Sequence, residues 1–225
     1  MNQLYRKCQS AGIRPQHVAE VGVYLPGQSN VLNFIDAGSR ATLVEADPVT
    51  CLAIQAYFSH RPDVVLHAVA VADDDGPVEL IRREASTFMS RLTGSPAIVN
   101  DRYVVRDADR FVVEGIRFSQ LDDGTIDLLS VDIEGAEWLV IKHLVSRPAV
   151  LSVETHGKFY DNPNLAEILA WTVHNGYAVW FKNDSDTAFL KKDFRPVTFA
   201  ERTGLRLTEA RFALYRRWKR FIHRR

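Results

Sequence analysis

The sequence predicts an α/β fold with a mostly parallel, doubly wound sheet of the Rossmann-like type. Three β-branched runs alternate with two apolar helical segments within about 60 residues, and this order is typical of parallel strands joined by right-handed crossovers. The predicted strands are residues 17–24, 41–46 and 64–72, and the predicted helices between them are residues 28–37 and 49–59. A chain of 225 residues, of which 46% are hydrophobic, is long enough for one sizeable core.

The second half of the chain continues this alternation after an insertion at residues 77–120, whose short alternating runs indicate a small, substrate-facing β element. The elements predicted after it are strands at 126–131, 149–153, 177–182 and 187–192, and helices at 138–144 and 165–174. We therefore predict a single domain over residues 1–225, with an N-terminal helix in residues 1–16.

Acidic residues recur where the predicted strands end. Ligands of open α/β sheets bind at the carboxyl ends of the strands. Carboxylates stand at four of five such ends, namely Glu20, Glu45 with Asp47, Asp132 with Glu134, and Glu154. The residues at the third strand are His67 and Ala68, and His156 follows the fifth. The pattern predicts one polar ligand site at this edge of the sheet.

The first two strand ends suggest which cofactor binds there. Glu45 lies about 20 residues beyond the turn at Gly22, a spacing at which a carboxylate can accept both hydroxyls of an adenosine ribose. The turn EVGVYLPG lacks the G-x-G-x-x-G pattern that cradles a pyrophosphate. Glu20 would repel a pyrophosphate and attract a cation such as a sulfonium. The combination favours S-adenosylmethionine (SAM) over NAD.

The run IDLLSVDIEGAEWLVIKHL at residues 126–144 resembles the signature of the FkbM family of SAM-dependent O-methyltransferases, in which a strand ends in Asp, an aliphatic residue, Glu-Gly and a further Glu. VEADP and AVAVADDDGPVEL also resemble the family's second and third strand ends, so the resemblance covers roughly residues 17–157. The first motif departs from the family's acidic-x-Gly-x-x-x-Gly pattern, because Pro26 occupies the last position and Gly27 follows one place late. This departure predicts a differently shaped loop over the methionine end of the cofactor.

The resemblance implies a class I methyltransferase that transfers a methyl group to an oxygen. It implies a cofactor site formed by Glu20, Gly22, Tyr24, Glu45, Ala46, His67, Ala68 and Asp132. A sulfonium methyl is already a strong electrophile, so the enzyme must mainly align the acceptor hydroxyl and remove its proton. The residues expected to do so are Asp132, Glu154 and His156.

The same residues raise the question of a metal. Because alternate residues of a strand point the same way, Asp132 with Glu134 and Glu154 with His156 are predicted to face one site. This set could hold Mg²⁺ or Mn²⁺ and lower the pKa of a sugar hydroxyl. Two alternatives stay open: His156 acts as a metal-free general base, or Glu134 caps the next helix while His156 is solvated.

The acceptor is predicted from the polar character of the site. Carboxylates without a large aromatic pocket favour a saccharide, such as an oligo- or polysaccharide precursor, and the alternative is a polyketide or other small secondary metabolite. Glu134, Tyr160 and Asp161 are predicted to contact this acceptor, with Tyr160 stacking on a sugar ring. A non-catalytic nucleotide-binding module ranks lower, because it would be expected to lack the carboxylates of the fourth strand.

The C-terminal segment, residues 205–225, is predicted to form a basic amphipathic helix. Six of the last ten residues are Arg or Lys, and aromatic residues recur at three- or four-residue steps. Such a helix could dock on the protein body or on a second copy, which predicts a homo-oligomer, or it could lie on an anionic membrane surface. No RNA-binding module accompanies it, so nucleic acid is not a predicted partner.

The remaining sequence features bear on location. Two cysteines do not make a disulfide framework. The N-terminus lacks the apolar core of a signal peptide, and no apolar run approaches the ~18 residues that span a bilayer. We therefore expect a cytoplasmic protein.

Overall fold

The computed structural model describes residues 1–83, 86–91, 104–157 and 160–222, without the side chains of Ser86 and 216–222. Its strands are β1 (His17–Val21), β2 (Arg40–Glu45), β3 (Val64–Ala68), β4 (Ala70–Val71), β5 (Gly76–Arg83), β6 (Ser86–Met89), β7 (Arg110–Ile116), β8 (Leu128–Val131), β9 (Val150–Glu154), β10 (Tyr177–Lys182) and β11 (Asp186–Lys191). Its α-helices are α1 (Gln3–Ser10), α2 (Leu32–Asp36), α3 (Pro48–Tyr57), α4 (Glu137–Ile141), α5 (Leu165–His174) and α6 (Phe199–Ile222).

A seven-stranded sheet in the order β10-β11-β9-β8-β1-β2-β3 forms the centre of the fold. Strands β3, β2, β1, β8 and β9 are parallel, and β11 runs antiparallel to both β9 and β10. These parallel strands read as continuous apolar runs because helices cover both faces of the sheet. The direction of winding reverses between β1 and β8, and ligands of such sheets bind at the carboxyl ends of the strands at this point.

The insertion forms a second sheet of four strands, in the order β4-β7-β5-β6. The single strand predicted over residues 64–72 is wrong in one respect. Residues Val64–Ala68 pair with β2, whereas Ala70–Val71 pair with β7 in the second sheet. The chain therefore passes from the central sheet to the second sheet at Val69, and the side chains of Ala70 and Val71 are buried there. Residues 84–85 and 92–103 of the predicted insertion lie outside the described residues.

The helix predicted over residues 28–37 is shorter in the structure. A 3₁₀ turn occupies Pro26–Gln28, and α2 begins only at Leu32. The carboxylate of Glu20 explains the delay, because it accepts hydrogen bonds from the Ser29 hydroxyl and from the Asn30 amide, at 2.8 Å for the latter. These bonds hold the segment in a loop before the helix.

The C-terminal helix α6 begins at Phe199, earlier than the predicted start of segment 205–225. It contacts the body of the domain along its first four turns. The Trp180 indole donates to a Glu201 carboxylate oxygen at 2.6 Å, and the Phe212 ring centre lies 5.3 Å from that of His156. Among the residues that the structure describes, no helix has both the length and the apolar character required to cross a membrane.

Candidate functional site

A pocket opens at the carboxyl edge of the central sheet. The strand ends contribute Val21, Gly22, Tyr24, Val44, Glu45, Ala46, Val69, Ala70, Val71, Asp132, Ile133 and Glu134. The insertion supplies part of the wall through Leu80, Thr87, Phe88 and Met89. The pocket therefore lies where the winding reverses, and part of the insertion borders it.

Gly22 lets β1 and β8 approach each other at the floor of this pocket. Its φ is +85°, and a Cβ at this position would lie 1.8 Å from the backbone oxygen of Asp132. The Asp132 amide in turn donates to the Val21 carbonyl at 2.9 Å. Only glycine fits this crossing, because any side chain would meet backbone that cannot rotate away.

Glu45 organises two loops around the pocket. Its Oε2 accepts hydrogen bonds from the amides of Val23 (3.2 Å) and Tyr24 (3.0 Å), and its Oε1 accepts from those of Ala46 (2.8 Å) and Asp47 (2.9 Å). The carboxylate thus ties the loop after β1 to the turn after β2. Glu45 also lines the pocket, so the residue that ties the two loops together forms part of the pocket wall.

Two pocket residues have unusual backbone conformations. Among the described residues other than glycine, Tyr24 (φ 53°) and Glu134 (φ 58°) alone have positive φ. Such residues are uncommon, and they concentrate at functional sites where the surrounding structure holds them in place. Both lie in loops beyond strand ends, which indicates that these loops are shaped for a ligand.

Three predicted cofactor residues take other positions. Glu20 is buried within β1 and is not among the residues that line the pocket. Burial raises the pKa of its carboxyl to about 7, and its oxygens are directed to the loop at Ser29. His67 and Ala68 lie inside β3, and the pocket wall is formed by Val69–Val71 instead, because β3 ends at Ala68.

A cluster of carboxylates adjoins the pocket. Asp132, Glu137 and Glu154 each place one carboxylate oxygen within 4.8 Å of the others. Asp132 lines the pocket and is half-buried, whereas Glu137 and Glu154 are buried behind it. Two of these three residues belong to the predicted metal set.

Glu137 is held rigidly in this cluster. Its Oε1 accepts hydrogen bonds from the amides of Ile133 (2.9 Å) and Gly135 (3.0 Å), and its Oε2 accepts from the Asn162 side-chain amide. Gly135 follows the left-handed Glu134 and also has positive φ, at 105°. The two-residue turn therefore directs Glu137 back into the protein at the start of α4.

Negatively charged groups surround Asp132 and Glu154. Burial raises the pKa of Glu154, and the nearby charges of Asp132 and Glu137 raise it further. Burial likewise raises the pKa of Asp132 well above its usual range, with further increases from Asp186 and Glu134. The charges that raise these two pKa values are all carboxylates, and no ion pair between described residues includes Asp132, Glu137 or Glu154.

His156 lies apart from this cluster. Its Nδ1 is 2.9 Å from the Thr155 hydroxyl, and its Nε2 is 3.2 Å from the carbonyl oxygen of Asn183. The ring packs near Phe212 of α6. The structure therefore does not bring His156 together with Asp132, as the predicted metal set requires. Glu134 also lies outside the three-carboxylate group, although it lines the pocket.

The predicted acceptor residues Tyr160 and Asp161 differ in exposure. Tyr160 is only 1% exposed, so its ring offers no face to a sugar, and the predicted stacking is wrong for this structure. Its buried hydroxyl has no hydrogen-bond partner in the described part of the chain. Asp161 is exposed and forms an isolated bridge with His156.

The prediction missed three site residues. Glu137 was visible in the EGAE run at residues 134–137, but spacing alone gave no reason to direct it inward. Asn162, which bonds Glu137, and Asp186, which acts on Asp132 and Glu154, had no recognisable signal in the sequence.

The insertion is joined to the pocket by an ion pair between the partly exposed Arg82 and the buried Asp47. The Arg82 guanidinium binds both oxygens of Asp47, with one N–O distance of 2.6 Å, and lies 4.7 Å from the centre of the Phe111 ring. Asp47 is 4% exposed, and it caps α3 by accepting from the Val49 amide at 2.8 Å. Arg82 thus connects the second sheet to the turn that Glu45 holds.

We expect Arg82→Ala to lower the free energy of unfolding by about 2 kcal/mol, because it leaves the buried Asp47 carboxylate without its charged partner, although solvent screens the partly exposed Arg82. It should also weaken ligand binding in the pocket, since the wall at Thr87–Met89 loses its anchor. The control is Arg110→Ala, which removes an exposed ion pair with Glu79 in the same sheet and should cost less than about 1 kcal/mol. Urea unfolding measures both variants, and equal losses would contradict the anchoring role of Arg82.

Together, the parallel sheet, its reversed winding and the pocket at its carboxyl edge define a doubly wound α/β fold with a ligand site at the point of reversal. The family model of the methyltransferase FkbM domain matches residues 16–179. The chain therefore belongs to the FkbM methyltransferase family, and it is a SAM-dependent methyltransferase.

Several solved structures resemble the chain distantly. A SAM-dependent methyltransferase from Aquifex aeolicus has 10% identity and a TM-score of 0.44, with 83% of this chain and 87% of that chain covered. The cofactor-bound protein Rv0187 from MTB has 14% identity and a TM-score of 0.47, with 84% and 79% covered. The bifunctional kinase-methyltransferase WbdD has 13% identity and a TM-score of 0.44, with 84% and 37% covered. Likeness at this level carries no information about the substrate.

No curated protein sequence matches the chain.

Proposed function

We propose that this protein transfers the methyl group of SAM to a hydroxyl of a saccharide, such as an oligo- or polysaccharide precursor. The observation that carries the proposal is the position of Asp132. It lies between the pocket and the carboxylate cluster, and its side chain accepts no hydrogen bond from a described residue. A carboxylate in this place is available to bind an acceptor hydroxyl.

The residues of the pocket suit the cofactor. Glu45 would hold the ribose hydroxyls in exchange for some of the four amide hydrogen bonds that it accepts in this structure, and the apolar wall of Val71 and Leu80 suits an adenine ring. Gly22 and Asp132 would border the methionine end. SAM, when bound there, supplies a methyl group that is already activated as an electrophile.

The chain contributes alignment and proton removal. Asp132 would accept the acceptor's hydroxyl hydrogen, which orients the oxygen toward the pocket. Asp132 would take the proton of the acceptor hydroxyl while the hydroxyl oxygen bonds to the methyl carbon. The electron pair of the broken carbon–sulfur bond would stay on sulfur. His156 is a weaker candidate for the base, because both of its ring nitrogens lie within hydrogen-bond distance of neighbouring protein groups.

A saccharide is favoured because the inner end of the site is rich in acceptors of hydrogen bonds. Asp132 and Glu134 line the pocket, and Glu154 lies next to Asp132. Several carboxylates can accept from several hydroxyls of one sugar. The second candidate is O-methylation of a small secondary metabolite, which the apolar insertion wall at Phe88 and Met89 would favour. Divalent-metal assistance by Mg²⁺ or Mn²⁺ is part of the proposal, since a cation beside Asp132 would lower the pKa of the hydroxyl.

Calorimetric titration with S-adenosylhomocysteine tests the cofactor site. We expect a micromolar Kd for the wild-type protein and an affinity at least about 50-fold lower for Glu45→Ala, because the substitution removes the ribose acceptor and releases the loops at Tyr24 and Ala46. Glu167→Ala, at an exposed position on α5, is the control and should bind like wild type. Folded wild-type protein that does not bind would reject the proposal.

The acceptor is tested by a screen with labelled SAM, in which sugars and hydroxylated secondary metabolites compete as substrates. Labelling confined to saccharides supports the first candidate, and labelling confined to metabolites supports the second.

Two wider expectations belong to the same proposal. We place the reaction in the reducing cytoplasm, which the two buried, unpaired cysteines Cys8 and Cys51 support. A homo-oligomer or a peripheral membrane contact through α6 stays a prediction. Leu207 and Leu214 of this helix are 68% and 69% exposed, which suits either surface.

A further inference from the structure

Two buried polar atoms, one in the carboxylate cluster and one near it, have no hydrogen-bond partner among the described residues. Glu154 is 8% exposed and Tyr160 is 1% exposed. Neither Glu154 Oε2 nor the Tyr160 hydroxyl has a hydrogen-bond partner among the described residues. The negative charges of the carboxylates Glu137, Glu154, Glu134 and Asp132 act on the Tyr160 hydroxyl, so this hydroxyl lies near the cluster.

Burial of these groups without a ligand would lower the stability of the folded protein. Buried polar groups in native proteins are almost always hydrogen-bonded, and a buried charge requires a counter-charge. Here Asp132, Glu137 and Glu154 converge within 4.8 Å, and none of the ion pairs between described residues includes any of the three. A positively charged ligand would remove the repulsion and satisfy Glu154 Oε2 together.

The geometry of Glu137 is typical of a metal-binding side chain that is oriented before the ion arrives. The amides of Ile133 and Gly135 and the side chain of Asn162 fix both of its oxygens. Outer hydrogen bonds of this kind orient metal-binding carboxylates. Each carboxylate oxygen has two lone pairs, so Oε2, which accepts one bond from Asn162, can still bind a cation.

We propose that Asp132, Glu137 and Glu154 bind one divalent cation, with the Tyr160 hydroxyl facing the same space. Three oxygen ligands without sulfur or imidazole select a hard ion, Mg²⁺ or Mn²⁺, rather than Zn²⁺. This set differs from the one the sequence predicted, because Glu137 replaces both Glu134 and His156. The ion's role in methyl transfer rests on the proposed function: at Asp132 it would contact the acceptor hydroxyl at the edge of the cofactor pocket.

Titration of the chelator-treated, full-length protein with Mn²⁺, followed by the electron paramagnetic resonance of free Mn²⁺, tests the site. We expect one saturable site for Mn²⁺, from which added Mg²⁺ displaces the bound Mn²⁺. Glu154→Gln should weaken Mn²⁺ binding at least tenfold. Glu167→Gln, at an exposed position on α5 outside the cluster, is the control and should change the Kd less than about threefold.

The result that would overturn the inference is a folded protein without saturable Mn²⁺ binding, or equal weakening by Glu167→Gln and Glu154→Gln. If Glu154→Gln fails to fold, Asp132→Asn replaces it, because Asp132 is half-buried and tolerates an isosteric change. S-adenosylhomocysteine binding is measured on the same samples. If the wild-type protein binds S-adenosylhomocysteine but not Mn²⁺, the metal site alone is rejected. If the folded wild-type protein does not bind S-adenosylhomocysteine, the proposed function is rejected.

Discussion

Gly22→Ala is expected to abolish S-adenosylhomocysteine binding and to lower the free energy of unfolding by about 3 kcal/mol or more. The new Cβ would lie 1.8 Å from the Asp132 backbone oxygen, at a φ of +85°. Left-handed backbone costs an alanine about 1–2 kcal/mol, and overpacking costs about 1–3 kcal/mol more. Relief of the clash must separate β1 from β8, which moves Asp132 away from the pocket.

Gly27→Ala is the matched control for this substitution. Gly27 lies in the same loop after β1, its φ is not positive, and a Cβ added to it would have nothing within 4 Å. The free energy of unfolding of the Gly27→Ala protein should stay within about 0.5 kcal/mol of the wild-type value. Urea unfolding and calorimetry measure both variants. If Gly22→Ala bound the ligand like wild type, the close approach of β1 and β8 would not be a condition of the site.

Asp132→Asn is expected to reduce turnover at least about 100-fold while the affinity for S-adenosylhomocysteine changes only a few-fold. General base catalysis contributes about 10²–10⁴ in rate, and asparagine keeps the size of the side chain but cannot take a proton. The substitution also removes one of several mutually repelling carboxylates, so the protein should remain at least as stable as wild type. The measurement is the initial rate of methyl transfer to the acceptor found in the screen, at saturating SAM.

Two further variants make this prediction decisive. Asp123→Asn, at an exposed position near the opposite edge of the sheet, should leave turnover unchanged. His156→Ala tests the competing base. If His156→Ala abolished turnover and Asp132→Asn did not, the proton acceptor would be His156, and the role proposed for Asp132 would be wrong.

Much of the fold follows from local sequence. The helix at residues 165–174 and the strand at 177–182 have the predicted bounds, and β2 differs from its prediction by one residue at each end. Parallel strands covered on both faces must be apolar throughout, so their positions are visible without knowledge of their partners. The break at Val69 was not visible, because the partner of Ala70–Val71 is β7, some 40 residues later in the chain.

The composition of the carboxylate cluster could not be read in the same way. Alternation along a strand predicted that His156 would share a face with Glu154, but β9 ends at Glu154 and the rule does not extend beyond it. His156 instead forms a bridge with Asp161. Glu137 enters the cluster because Glu134 and Gly135 both adopt positive φ, a backbone choice that residue spacing does not reveal.

Local sequence was sufficient for the class of fold, the edge of the sheet that carries the site, the family and its cofactor, because strand ends and their carboxylates are encoded by neighbouring residues. Tertiary contacts alone decided which carboxylates meet. Asp132 and Glu137 follow β8, Glu154 ends β9, and Tyr160 comes from the loop beyond it. Their convergence depends on a left-handed turn and on the pairing of β8 with β9, and these are properties of the folded backbone rather than of any one segment.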